Sequence, residues 1–274
     1  VYLALPAVLF DIVANAKITD LWEPGFIAAF TLGCFIVFAG TLWWRVSTGH
    51  HLTDAAIDGL NASYANTGFV GFPLVLSLVG GTGMAPTLIA TIVTVCVLFV
   101  IAIVLIEAGL QTEARPCDIV AKTLFSLVKN PLLVAPALGG LVMVSGGHLP
   151  EPVHAFLKLL GGAASPCALI ALGLFLAGNS PGAASARLST AAILVSLKLI
   201  AQPLVTWIIA APVLHLPPAM TNIAVLLAAL PTGTGSFMLA EFYDREAALT
   251  GRVVLASTVF SIATISLYLA FAPV

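Results

Sequence analysis

The stretch NASYANTGFVGFP (61–73) puts two asparagines, a serine, a threonine, two glycines and a proline into the middle of a run, 54–80, that is otherwise apolar enough to cross a bilayer. A second run, 217–242, carries a similar interruption, LPTGTGS (230–236). Backbone that leaves the helix inside hydrocarbon exposes N–H and C=O groups at several kcal/mol each, so it survives only where protein buries it or where it lines a wet cavity. Two such breaks predict a cavity.

The rest of the chain supplies the membrane setting. Its 274 residues include only 10 Lys and Arg and 12 Asp and Glu, or 8% charged, against 60% apolar. A soluble domain carries about 25% charge. The apolar segments fall at 1–16, 25–46, 54–80, 83–109, 130–146, 152–178, 188–214, 217–242 and 247–273, nine in all, which reads as an all-α polytopic membrane protein. No room is left for a soluble dehydrogenase, kinase or nucleic-acid-binding domain. The longest polar connection, QTEARPCDIVAKTLFSLVKN (110–129), separates four spans from five, and its second part suits an amphipathic helix at the interface. Alternating the connections puts Arg45, Arg115, Lys122, Lys129, Arg187, Arg245 and Arg252 on one side and Lys17 and Lys158 on the other. By the positive-inside rule, 110–129 is cytoplasmic and the C-terminus outside.

The interrupted spans are the third of the first group and the fourth of the second, so repeat symmetry predicts that the first group lacks its first helix. The expected fold has ten helices in two inverted repeats of five: 1–109 as the incomplete first repeat, 110–129 as the cytoplasmic connection and 130–274 as the second repeat. With Thr53 or Asp54 capping the inward helix, Asn66 lies about 18 Å deep, and Pro231 lies about 22 Å from Leu216 on the other side, so the breaks meet near the midplane. Each second half-helix then starts at the crossing, one suited by Pro73 and the other following Pro231. Two helix N-termini, each worth about half a positive charge, make an anion site without an arginine. Asn61, Ser63, Asn66, Thr67, Thr232 and Thr234 offer uncharged donors there. The bland alternatives are kinks at the prolines and interhelical packing by Asn61 and Asn66.

Lys198 is the cation inside a span, and Asp11 is the carboxylate well inside one. An intramembrane charge suggests function. Lys198 either serves transport or is fixed by Asp11 or by helix C-terminal carbonyls. Asp11 is a proton carrier, the partner of Lys198, or a group in a wet vestibule. Glu107 and Glu241 fall near cytoplasmic ends, where water reaches them. His50, His51, His148, His154 and His215 fall in connections without an HExxH pattern, and the four cysteines form no CxxC, so neither a metal nor a cofactor is indicated.

NTGFVGFPL (66–74), ALPTGTGSFMLAEFYD (229–244), KNPL (129–132) and ALGLFLAG (171–178) together resemble the auxin efflux carrier family, in order along nearly the whole chain. The resemblance implies a scaffold (1–16 and 130–178), a transport domain (25–109 and 188–274), crossing broken helices that bind a carboxylate, and elevator-type alternating access. It makes Asn66 the crossover asparagine on the carboxylate, sets Pro73 in the same motif and makes Pro231 the second crossover proline. It also puts Lys198, five residues before Pro203, where plant members have a basic residue. Phe30 and Cys34 stand where a plant helix carries an Asp and a Lys, and LALPAVLFD (3–11) looks more like the malonate-type members. The expectation is a bacterial inner-membrane secondary transporter of small organic anions, malonate first among them, with lipid around it and a homodimer formed through the scaffold. A sodium-coupled symporter would want carboxylates beside the crossing, and an intramembrane enzyme would want catalytic groups inside spans; the sequence offers neither.

Overall fold

In the computed structural model, which describes residues 3–15, 22–110, 129, 131–146, 149–178 and 185–272, every element among the described residues is helical. Helix α1 (Ala4–Ala14) is followed by α2 (Pro24–Ser47), whose Pro24 sits in the first turn, where a missing N–H costs nothing. The halves of the first interrupted span are α3 (Leu52–Ser63) and α4 (Thr67–Leu78), and α5 (Gly80–Leu110) follows at once. After 129 come α6 (Pro131–Ser145), α7 (Glu151–Gly162), α8 (Ala164–Gly178) and α9 (Leu188–Val213). The second interrupted span divides into α10 (Pro218–Ala228) and α11 (Thr234–Phe242), and α12 (Ala247–Phe271) completes the described chain. Four of these, α2, α5, α9 and α12, are each long and apolar enough to cross a membrane. Trp43, Leu141, Leu159 and Ile262 stand exposed on outward faces, as lipid-facing side chains do. The arrangement is that of a polytopic helical membrane protein.

Wider π-type turns stand beside prolines at Thr67–Gly71 before Pro73, at Leu197–Ala201 before Pro203, and at Ile209–Val213 around Pro212. Proline lacks an N–H and crowds the carbonyl four residues back, and one extra residue in the turn relieves that clash. The turn at Val93–Leu98 in α5 has another cause: Thr94 Oγ1 donates to the carbonyls of Ala90 and Thr91, at 2.9 and 3.1 Å, and competes with the helical ladder.

Helix α1 packs chiefly on α6 and α7, with Gly139 against the Phe10 carbonyl and Gly161 against Val8. Small residues allow this close approach between membrane helices. The largest buried cluster joins α2, α3, α5, α10 and α11 through Phe26, Phe30, Leu60, Phe99, Leu227 and Leu239, so both broken spans are anchored in one apolar body.

Charged links tie the ends of these helices together. Arg45 Nε in the last turn of α2 donates to Asp58 Oδ2 on α3 at 2.6 Å, and both side chains are buried. Arg245 grips Asp54 through Nε and Nη2 at 2.8 and 3.2 Å, and Tyr243 Oη donates to Glu107 Oε1 at 2.7 Å. These contacts correct two expectations. The residue capping α3 is His51, whose Nδ1 accepts from Thr53 N–H at 3.3 Å, because Asp54 is taken by Arg245 and Thr53 is buried against the Ile106 carbonyl. Glu107 is buried under Tyr243 rather than solvated. The amphipathic helix expected within 110–129 falls, apart from the two end residues of that segment, outside the described residues.

Asp58→Ala would leave the Arg45 guanidinium buried without its counter-ion, with an expected loss of about 3–5 kcal/mol. The melting temperature in detergent should fall sharply and should largely recover when Arg45→Met is added; an unchanged single mutant would refute the pairing.

Candidate functional site

The two interruptions lie directly against each other. Helix α3 stops at Ser63 and α10 at Ala228, and beyond them Ala65 and Thr232 form an isolated antiparallel bridge. Asn66 N–H donates to the Pro231 carbonyl at 2.9 Å, and Gly233 N–H donates to the Tyr64 carbonyl at 3.0 Å. Each break thus satisfies backbone groups that the other has freed, as hydrocarbon surroundings demand. Thr232 reinforces the bridge twice: its Oγ1 donates to the Asn61 carbonyl at 2.8 Å, and its N–H donates to Ser257 Oγ at 3.1 Å. The Tyr64 ring covers Gly233 and Gly235; a Cβ on Gly235 would stand 2.7 Å from the Tyr64 hydroxyl, so side chains larger than hydrogen cannot fit without moving the ring.

The half-helix C-termini point to α9. Lys198, fully buried, donates Nζ to the Ala228 carbonyl at 2.7 Å, and Gln202, four residues on, donates Nε2 to the Ser63 carbonyl at 2.9 Å. Residues four apart share one helix face, so a single helix closes both C-terminal ends. A cation there also opposes the partial negative charge of a helix C-terminus.

The opposite ends, the half-helix N-termini, line a cavity of about 360 Å³. Asn66 precedes α4 and Gly233 precedes α11, and the cavity wall takes in Asn66, Thr67, Gly68, Gly233, Thr234 and Gly235. The first N–H groups of a helix have no intrahelical acceptor, so this wall presents donors and partial positive charge. Asn66 is 9% exposed and Thr234 4%, and neither side chain has a hydrogen-bond partner among the described residues. Thr67 Oγ1 meets Thr94 Oγ1 on α5 at 3.1 Å. Across the cavity lie Val8, Asp11 and Ile12 of α1 and Lys158 of α7.

The sequence profile of the family described as "Membrane transport protein" matches residues 1–269. The chain belongs to that family. It is a transporter and not an enzyme. Over 270 residues, 97% of this chain and 82% of the relative, the transporter is 26% identical to a Rhizobium meliloti (strain 1021) protein named "Putative malonate transporter".

Of the residues singled out in the sequence, the transporter brings Asn66, Thr67, Thr234 and Asp11 to the cavity wall. Pro231 contributes its carbonyl to the bridge and Thr232 its hydroxyl and N–H, behind the wall rather than on it. Asn61 also lies behind it, donating Nδ2 to Thr250 Oγ1 at 2.9 Å and so joining α3 to α12. Pro73 is exposed away from the cavity, and α4 starts six residues before it at Thr67, because the turn at Thr67–Gly71 already belongs to the half-helix. Lys198 and Asp11 are not partners. Asp11 Oδ1 accepts from Asn15 Nδ2 at 2.8 Å and from His154 Nδ1 at 3.0 Å, whereas Lys198 is bound to Ala228.

Sequence reasoning passed over His154, Lys158, Gln202 and Asp58. His154 had been placed in a connection, yet it lies in the first turns of α7, which Pro150 and Pro152 open. Reading those prolines as a helix start would have set His154 and Lys158 four apart on one face.

Lys198→Met should strand the Ala228 carbonyl without a partner, at about 1–3 kcal/mol. Adding Asp11→Asn should leave the lowered melting temperature where it is; recovery in the double mutant would restore the Lys198–Asp11 pairing.

Proposed function

We propose that this transporter is a secondary carrier of small organic anions, a carboxylate of the malonate kind being the best single candidate. The observation that carries the reading is the pair of half-helix N-termini on one cavity, with the buried side chains of Asn66 and Thr234 lacking partners at the same place. A carboxylate supplies what this wall lacks: a negative charge and four lone-pair positions for N–H, amide and hydroxyl donors. A volume of about 360 Å³ lies at the small end of ligand pockets, which suits a cargo of few atoms. The name of the Rhizobium relative favours malonate.

In this reading Asn66, Thr67 and Thr234 touch the carboxylate, while Asn61, Pro231 and Thr232 hold the crossing and Pro73 shapes the first turns of α4. The helices of 25–109 and 188–274 form the moving part and those of 1–16 and 130–178 the scaffold, within a fold of two inverted five-helix repeats that works as an elevator. The chief packing of α1 on α6 and α7 supports that division. The charge distribution supports an inner-membrane setting with the C-terminus outside, and a dimer would use the scaffold.

Proteoliposomes loaded with a panel of labelled mono- and dicarboxylates, with and without pH and sodium gradients, test the reading. Saturable uptake of at least one small carboxylate is expected. Asn66→Ala should bind that acid about 10- to 150-fold more weakly, as loss of a hydrogen bond to a charged group dictates, with its melting temperature preserved. No carboxylate uptake, or unchanged affinity in Asn66→Ala, would refute the carrier or the site respectively.

A further inference from the structure

Resting on that carrier reading, we propose that the cavity holds a second anion subsite at Lys158, which makes the preferred cargo a dicarboxylate: one carboxylate against Asn66 and Thr234, the other on the Lys158 ammonium. Asp11 and Lys158 supply the charged side chains of the cavity wall. Asp11 is committed, its Oδ1 accepting from Asn15 and His154 at 2.8 and 3.0 Å. Lys158 has neither a hydrogen bond nor an ion pair among the described residues. Beside the hydrogen-bonded Asp11, the donors of the cavity left without a side-chain partner are those of the half-helix N-termini, with partial positive charge, and the Lys158 ammonium, with a full one. A monocarboxylate answers one wall and leaves the other without a counter-charge.

The lining also includes the apolar Val8, Ile12, Phe72 and Met238, which suit the short methylene link of a malonate- or succinate-like acid. Gly161 and Gly162, in the turn after Lys158, leave that side of the cavity free of bulk. The ammonium sits on a flexible four-carbon stem, so it reaches acids of slightly different length as a point charge without imposing a fixed fork. Lys158 rides on α7, which packs with α1, whereas Asn66 and Thr234 flank the bridge. A dicarboxylate thus spans two groups of helices, and a monocarboxylate touches one.

The test compares the reconstituted wild type with Lys158→Gln, Lys158→Arg and Asn66→Ala, using malonate and succinate against acetate and propionate and reading affinity by calorimetry and by counterflow. Lys158→Gln should lose about tenfold in affinity for the two dicarboxylates and keep its affinity for the monocarboxylates, since an exposed ammonium contributes less than a buried one. Lys158→Arg should retain the dicarboxylate preference, and Asn66→Ala should weaken both classes. Lys158 is exposed and holds no partner, so melting temperatures should match the wild type. If Lys158→Gln weakens both classes equally or neither, the subsite is overturned while the carrier reading stands. If the wild type binds no carboxylate at all, the carrier reading falls and the subsite with it.

Discussion

Two backbone hydrogen bonds, from Asn66 to Pro231 and from Gly233 to Tyr64, are the interaction on which the centre of this protein depends. Each broken span would be untenable alone, because hydrocarbon offers no partner for the N–H and C=O groups that a break releases. Set antiparallel, the breaks become partners for one another at Ala65 and Thr232. The Gly233 and Gly235 positions then follow from the Tyr64 ring that lies over them, and Thr232 from the Asn61 carbonyl and Ser257 hydroxyl within its reach.

Once the breaks are paired, the half-helices acquire a direction. Their C-termini meet α9, where Lys198 and Gln202 occupy the last carbonyls, and their N-termini meet the cavity. The negative ends are neutralised inside protein and the positive ends stay available, so the cavity acquires a sign without a fixed cation at the crossing. Elsewhere charge is paired, the buried Arg45 with Asp58 and the part-buried Arg245 with Asp54, which keeps the bias of the cavity from being diluted by stray charges nearby. Under the proposed carrier reading, a cargo has to be held firmly enough to be selected and loosely enough to be released, and partial charges on helix ends would suit both needs.

The one-dimensional pattern carried much of this. The 8% charge content, the apolar runs and the two Gly-, Pro- and Thr-containing interruptions are enough to establish a helical membrane protein with two breaks at similar depth. The polar residues next to the breaks, Asn66, Thr67 and Thr234, could be picked out because they are uncharged donors beside interruptions inside apolar spans. Residue order makes helix C-terminal carbonyls and Asp11 equal candidates as the partner of Lys198 and does not choose between them.

What residue order could not supply was pairing across the fold. His154 is 143 positions from Asp11 and Gln202 is 139 from Ser63, and nothing local to either member marks the other. Asn61 depends on still more distant partners: only the arrival of Thr250 and Thr232, 189 and 171 positions away, makes it part of the crossing's support rather than of the cavity wall. Helix periodicity and hydropathy fix which segments enter the membrane, because those depend on the side chains of one stretch of chain. Which carbonyl Lys198 caps, which carboxylate His154 holds and which wall Lys158 faces depend on the packing of separate helices, and the tertiary structure alone decided them.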